Sequence, residues 1–319
     1  MRALVTGGAG FIGFHVAKAL AERGDDIVIV DNLNEYYDVK LKQDRLAQLP
    51  KSVVFHKVDL ADFSALKKIF QQHQFHKICH LAAQAGVRYS IENPFMYQMS
   101  NNLGTLNILE LMKDFKVKDL VFASSSSVYG GNTKIPFSVE DNVDQPISLY
   151  AATKRHNEHL AHVYHKLYGL NCWGLRFFTV YGPWGRPDMA LYKFTNAILA
   201  DKPIEVYNFG HHERDFTYIA DIVAGILAAL DQVNGYQLLN LGNNKSVNLM
   251  YFISCLEKEL GKNSRKNFLP LQPGDVHKTF ADIEKTKNVL NWEPKVSIEE
   301  GIKEFVQWYK EYHGIQYVN

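Results

Sequence analysis

A short apolar strand, Ala3-Leu4-Val5-Thr6, breaks into Gly7-Gly8-Ala9-Gly10-Phe11-Ile12-Gly13, and a helical pattern through Val16, Leu20 and Arg23 follows at once. Gly7, Gly10 and Gly13 stand at G-x-x-G-x-x-G spacing. Without side chains there, the backbone amides of this turn, Phe11 and Ile12 included, and the helix N-terminus behind it can approach a pyrophosphate. The next strand, Ile27-Val28-Ile29-Val30, ends in Asp31 and Asn32, about 20 residues beyond the turn. A carboxylate at that place accepts hydrogen bonds from a ribose diol and repels a 2′-phosphate, so the expected dinucleotide is NAD rather than NADP.

The strand–helix alternation continues. Val53 to Val58 reads as a third strand ending at Asp59-Leu60, where a carboxylate and a backbone amide can grip adenine, and Asp62 caps the following helix. Lys77 to Leu81 is a fourth strand, followed by Ala82 and Ala83, small residues that let a cofactor lie against the backbone; His80 reads as a core histidine. Helix Leu103 to Leu111, strand Leu120 to Ala123 and strand Cys172 to Phe178 complete the series. Glycines and prolines in the segment 179–187 then interrupt it. A helix near Leu191 to Leu199, a strand Ile204 to Tyr207 and the motif Arg214-Asp215-Phe216-Thr217-Tyr218 follow, and helix Asp221 to Leu230 with strand Gln237 to Leu241 returns to the first unit. Met250 to Leu260, Ile283 to Leu290 and Ile298 to Tyr312 are amphipathic stretches. This order predicts an α/β fold, a doubly wound parallel sheet of Rossmann type with a smaller C-terminal substrate-binding lobe. Residues 1–178 and 218–249 are expected to form the NAD-binding domain, and 179–217 and 250–319 the substrate lobe.

Composition removes several function classes. With 319 residues, 46% of them hydrophobic, the chain can bury a large core, and a formal net charge of +1 gives no electrostatic case for nucleic acid or an anionic membrane. No apolar run reaches the roughly 18 residues of a membrane span, and Met1 runs into a strand with no charged-then-apolar leader, so a cytoplasmic protein is expected. Cys79, Cys172 and Cys255 lack zinc spacing and read as reduced thiols. His156, His159, His162 and His165 invite a metal reading, but each three-residue step drifts about 60° around a helix and no acidic or cysteine ligand completes a set. No metal is expected.

Two further stretches carry chemistry. Tyr150 and Lys154 lie four residues apart at the head of a helix, so both project from one face. An ammonium near a phenol favours the phenolate, and a tuned tyrosine can take a proton from a sugar hydroxyl. The serine run Ser124 to Ser127 follows the apolar strand Leu120 to Ala123 and so sits at a strand's carboxyl end, where open α/β sheets hold ligands.

With glycine turn, Asp31, serine run and Tyr150-x-x-x-Lys154 in order, the whole chain resembles the extended short-chain dehydrogenase/reductase family of nucleotide-sugar epimerases and dehydratases. The resemblance assigns the hydroxyl that works with Tyr150 to Ser125, counted back from Val128-Tyr129-Gly130, with Ser126 the neighbouring alternative. Dehydratases of the group carry an Asp-Glu pair after that residue. Ser126-Ser127 in its place argues against elimination. Gln84 to Ser90, Gly182 to Ala190 and Gln272 to Val276 resemble the UDP-glucuronate 4-epimerase subgroup. Two positions depart from the UDP-galactose epimerases: Gln272 replaces a diphosphate-holding arginine, and Thr179 an asparagine.

The resemblance implies NAD-dependent inversion at C4 of UDP-glucuronate, through a 4-keto sugar, to UDP-galacturonate. Tyr150 is then the acid-base group, Ser125 orients the oxygen, and Lys154 holds the cofactor ribose. Leu81, Ala82 and Ala83 flank the cofactor. Lys193, Arg214 and Asp275 anchor UDP, while Arg88, Thr179 and Arg186 are candidates for the hexose carboxylate. A homodimer through the helices after the fourth strand and at Tyr150 is implied by analogy. The competing readings are a UDP-glucuronate decarboxylase, another UDP-sugar 4-epimerase, and a non-catalytic NAD-sensing regulator.

Overall fold

In the computed structural model, which describes residues 1–272 and 276–315, side chains of the central strands alternate between two apolar layers. The strands are β1 (Arg2–Thr6), β2 (Asp26–Asp31), β3 (Val54–Lys57), β4 (Lys77–His80), β5 (Asp119–Ser125), β6 (Asn171–Phe177), β7 (Thr179–Tyr181), β8 (Ile204–Val206), β9 (Glu213–Arg214), β10 (Phe216–Tyr218), β11 (Tyr236–Leu241), β12 (Val247–Asn248) and β13 (Lys266–Phe268). Ala3, Val5, Ile29, Cys79 and Val121 enter one layer; Leu4, Val28, Ile78 and Leu120 enter the other. That period of two, with both faces apolar, is what a parallel sheet covered on both sides requires.

Seven strands form the sheet in the order β11-β6-β5-β4-β1-β2-β3, with every neighbouring pair parallel. The helices are α1 (Phe11–Glu22), α2 (Val39–Ala47), α3 (Phe63–Gln72), α4 (Tyr89–Glu92), α5 (Pro94–Tyr97), α6 (Gly104–Asp114), α7 (Leu149–Tyr168), α8 (Ala190–Leu199), α9 (Ile219–Gln232), α10 (Leu249–Leu260), α11 (Glu284–Leu290) and α12 (Ile298–Tyr312). Val16 and Leu20 of α1 and Ile222 and Ile226 of α9 cover one face; Leu66 of α3, Ile108 and Leu111 of α6 and Ala161 of α7 cover the other. Each Val, Leu or Ile side chain so buried contributes about 1.5–3 kcal/mol. The strand order reverses between β1 and β4, which opens a crevice at the carboxyl ends of those strands.

A third apolar cluster joins β8, α8, α10 and α12, with Phe216 and Phe252 stacked at 4.3 Å between ring centroids. It forms the smaller lobe. The expected lobe boundaries need one correction: Ala281, Ile283, Leu290 and Trp292 belong to the large-lobe core, so α11 returns to the sheet. An amphipathic pattern shows that a face is buried but not which partner buries it. No helix among the described residues is long and apolar enough to cross a membrane.

Candidate active site

A cleft of about 850 Å³ opens over the carboxyl ends of the strands. Its dinucleotide end is lined by Gly7, Gly10, Phe11, Ile12 and Gly13, by Asp31, Asn32, Asp59 and Leu60, and by Leu81, Ala82 and Ala83. Its other end holds Ser125, Ser126, Tyr150 and Lys154, together with Arg88, Thr179, Arg186, Lys193 and Arg214. The candidates from distant parts of the chain thus share one cavity. Asp275 lies outside the described residues.

The glycine turn is built for close approach. Gly7 has φ of +72°, and a Cβ there would lie 2.8 Å from the Ala82 backbone; a Cβ on Gly13 would lie 2.1 Å from the Gly7 carbonyl. α1 begins behind Gly10 with no side-chain cap, so its first amides face the cleft as an anion seat. The Asp31 carboxylate braces the turn: Oδ2 accepts from the Ala9 amide at 3.1 Å and Oδ1 from Leu33 at 2.8 Å. Carboxylate oxygens accept more than one bond, so a ribose diol can still be held. Asn32 donates to Asp59 at 2.8 Å, tying the ends of β2 and β3 together. These residues fit NAD. His80 is fixed between Thr6 (2.7 Å) and Thr105 (3.0 Å), and burial pushes its pKa down to about 3, as suits a core histidine.

Tyr150 and Lys154 occupy the first turns of α7, which Ser148 caps by accepting from the Ala151 amide at 3.1 Å. Both are buried. Burial raises the Tyr150 pKa; a hydrogen bond with Ser125 and the positive charge of Arg186 oppose it. Lys154 donates to the Ala123 carbonyl at 2.8 Å, with Nζ 6.0 Å from the Tyr150 ring centroid, so its charge is directed to the end of β5. Ser125 also accepts from the Ser127 amide at 3.1 Å, which fixes its hydroxyl, whereas Ser126 begins the short turn beyond β5. One helical turn past Lys154, Glu158 is fully buried. It accepts from Ser124 (2.6 Å), twice from Arg176 (2.8 and 2.9 Å) and from Arg155 (3.0 Å). The spacing Tyr150-x-x-x-Lys154-x-x-x-Glu158 was legible and its third member was overlooked.

The family model described as GDP-mannose 4,6 dehydratase matches residues 4–305. The chain belongs to this family, within the extended short-chain dehydrogenase/reductases. A relative, the UDP-glucuronate 4-epimerase of Thermodesulfobacterium geofontis, is 50% identical over 311 residues, covering 97% of this chain and 96% of its own. The UDP-glucuronic acid 4-epimerase of Bacillus cereus, solved with UDP-glucuronic acid and NAD, matches with TM-score 0.90 at 36% identity over 98% of this chain and 100% of its own. A UDP-glucose 4-epimerase of Thermotoga maritima, solved with UDP-glucose, gives TM-score 0.91 at 32% identity, covering 98% and 100%.

In the segment 179–188 the structure departs from the sequence expectation. Arg186 is a candidate for the hexose carboxylate, and a planar guanidinium suits a bidentate grip. Its Nε instead donates to Asp188 Oδ1 at 2.9 Å and its Nη2 to Oδ2, because a largely buried guanidinium needs a counter-ion. The Nη1 edge is the part not used by Asp188. Tyr36 donates to Asp188 Oδ2 at 3.0 Å and its own pKa is pushed up to about 12, by burial first and the carboxylate second. Tyr36 and Asp188 were missed; Arg-x-Asp on a loop hints at the pair, while nothing in the sequence points to Tyr36. Thr179 opens β7 in the cleft wall. Arg88 lies 4.7 Å over the Tyr207 ring, beside the turn after β8 rather than on the 179–188 segment. Arg214 donates to the carbonyls of Glu213 and His277, each at 3.0 Å, and exposed Lys193 lines the cleft from α8. No group of three metal-ligating side chains occurs among the described residues. His162 packs edge-on to Tyr236, and His165 bonds the Leu170 carbonyl.

Proposed function

We propose that this chain inverts C4 of UDP-glucuronate, giving UDP-galacturonate through a 4-keto intermediate. The observation that carries the reading is one cleft in which Ser125 and Tyr150 meet the glycine-turn seat at one end and Thr179 and Arg186 at the other. Similarity to UDP-glucuronate 4-epimerases supports the substrate.

Bound NAD supplies a reversible hydride acceptor. Tyr150 removes the proton of the C4 hydroxyl as the carbonyl forms and returns it after the sugar has turned over. Ser125 shares that proton and fixes the oxygen; burial raises the Tyr150 pKa, and the Ser125 hydroxyl and then the positive charge of Arg186 oppose that rise in part. Lys154, braced by Ala123, presents its remaining donors to the cofactor ribose. Lys193, Arg214 and Asp275 hold UDP, so the hexose rotates about a fixed diphosphate.

The 4-keto sugar is a β-keto acid. When its C5–C6 bond stands perpendicular to the carbonyl plane, that bond can break: the electron pair passes into the C4 carbonyl as an enolate, carbon dioxide leaves, and a proton adds at C5. Thr179 and Arg186 hold the carboxylate out of that alignment.

Exposed Phe95 (83%) on α5, Met99 (49%) on the helical turn that follows it and Leu167 (67%) on α7 are apolar side chains that favour a homodimer through this part of the surface. The three cysteines are free and buried, which favours a cytoplasmic setting. Incubating purified protein with UDP-glucuronate and resolving the products tests the reading. UDP-galacturonate is expected. UDP-pentose with carbon dioxide would identify a decarboxylase, and tight NAD binding without turnover would favour a sensor.

A further inference from the structure

The carbonyls of Pro183, Trp184 and Gly185, just before Arg186, are gathered by two side chains of the large lobe. Arg45 of α2 is fully buried. Its Nη1 donates to the Ala9 carbonyl inside the glycine turn (3.0 Å) and to the Tyr37 hydroxyl (2.7 Å). Its Nη2 donates to Trp184 (2.7 Å) and Gly185 (3.3 Å), and Nε donates to Trp184 again (3.2 Å). From α1, His15 Nε2 meets the Pro183 carbonyl at 3.0 Å. Burial pushes its pKa down to about 4, so the ring is neutral and Nε2–H is the donor. Trp184 itself adopts φ of +59°, with its indole packed between Phe14 of α1 and Trp308 and Tyr312 of α12.

Every acceptor of the Arg45 guanidinium in these bonds is a neutral oxygen. A buried cation among neutral acceptors is costly, and an apolar side chain of similar length would fill the same space without that cost. The charge therefore calls for a reason, and the place supplies one: it adjoins the turn shaped for a diphosphate and grips the loop that carries Arg186.

We infer that Arg45 is a positioning residue that locks the Arg186 loop to the glycine turn, so that seating a dinucleotide diphosphate and restraining the substrate carboxylate are coupled. The inference rests on the proposed epimerase reading for its second half only. Loosening the lock weakens dinucleotide retention and, in turnover, lets the keto acid reach the alignment from which it loses carbon dioxide.

The test uses the full chain with Arg45→Met and Arg45→Lys, and His15→Phe as a variant that removes only the Pro183 tie. Dinucleotide retained after gel filtration is measured in the supernatant of denatured protein, and products from UDP-glucuronate are resolved with NAD in excess. Arg45→Met is expected to weaken NAD binding by roughly tenfold or more, the scale of losing a charged hydrogen bond, and to raise the ratio of UDP-pentose to UDP-galacturonate. KM for UDP-glucuronate should change far less than kcat. Arg45→Lys should recover both properties in part, because an ammonium restores the charge and can reach one carbonyl. A folded Arg45→Met protein with the parent's NAD content and product ratio overturns the inference. If that variant does not fold, parent-like behaviour of both Arg45→Lys and His15→Phe overturns it instead. A parent that makes no UDP-galacturonate refutes the functional reading, while NAD retention still decides the coupling to the glycine turn.

Discussion

Lys154 gives its hydrogen bond to the Ala123 carbonyl, 2.8 Å away, and not to the hydroxyl of Tyr150. Burial lowers its pKa to about 8, with Glu158 opposing the shift. Between about pH 8 and the ordinary lysine value the folded chain holds fewer protons than the unfolded chain, so stability rises with pH through that window. Below it the buried ammonium weighs on the fold in full. Lys154→Met should therefore stabilise the protein at neutral pH by about 2 kcal/mol, after allowing for the orphaned Ala123 carbonyl, and flatten the alkaline rise. Turnover should nearly vanish. Denaturant unfolding of dinucleotide-stripped protein at neutral and alkaline pH checks the sign: a Met variant less stable than the parent at neutral pH contradicts it.

Tyr150→Phe keeps the ring that fills the cleft wall and deletes the proton relay. A fall in kcat of about 10² to 10⁴-fold is expected, with NAD content and UDP binding close to the parent's. Steady-state kinetics beside calorimetric binding separates the two, and activity within about twofold would remove Tyr150 from the mechanism.

Asp31→Ala has two expected effects, since the carboxylate also accepts from the Ala9 amide. The preference for NAD over NADP should narrow, and affinity for both should fall as the turn loses its brace. Fluorescence titration with each dinucleotide measures this. An unchanged NAD affinity would show that the Ala9 contact is dispensable.

Thr179→Val, Arg186→Ala and Asp188→Asn should each increase the share of UDP-pentose among the products, with Arg186→Ala the largest. Asp188→Asn acts at one remove, by weakening the ion pair that orients the guanidinium. Mass spectrometry of the product sugars decides it: slower turnover with no pentose leaves these residues as binding groups alone.

The sheet, the glycine turn and the Tyr150–Lys154 pair were readable because each is a local pattern. Apolar runs mark strands, glycine spacing marks a close approach, and four-residue spacing marks one helix face. Arg45 and His15 were not readable. The partners that tie them to the 183–185 loop are backbone carbonyls 139 and 168 residues away, and a carbonyl carries no side-chain signature. The same holds for Lys154, whose helix face was legible while its acceptor on β5 was not. The serine run does not show that β5 extends through Ser125 while Ser126 starts the following turn.

Asp31 spends one oxygen on the Ala9 amide and the other on Leu33, so the group proposed to discriminate between dinucleotides also belongs to the scaffold of the glycine turn. A lineage drifting toward NADP could not simply exchange this carboxylate for a cation or a small residue, because the first substitution would loosen the turn before any new phosphate contact existed. The route requires a prior change that gives the Ala9 amide another acceptor. Coenzyme choice in this scaffold is thus protected by the order in which mutations must arrive.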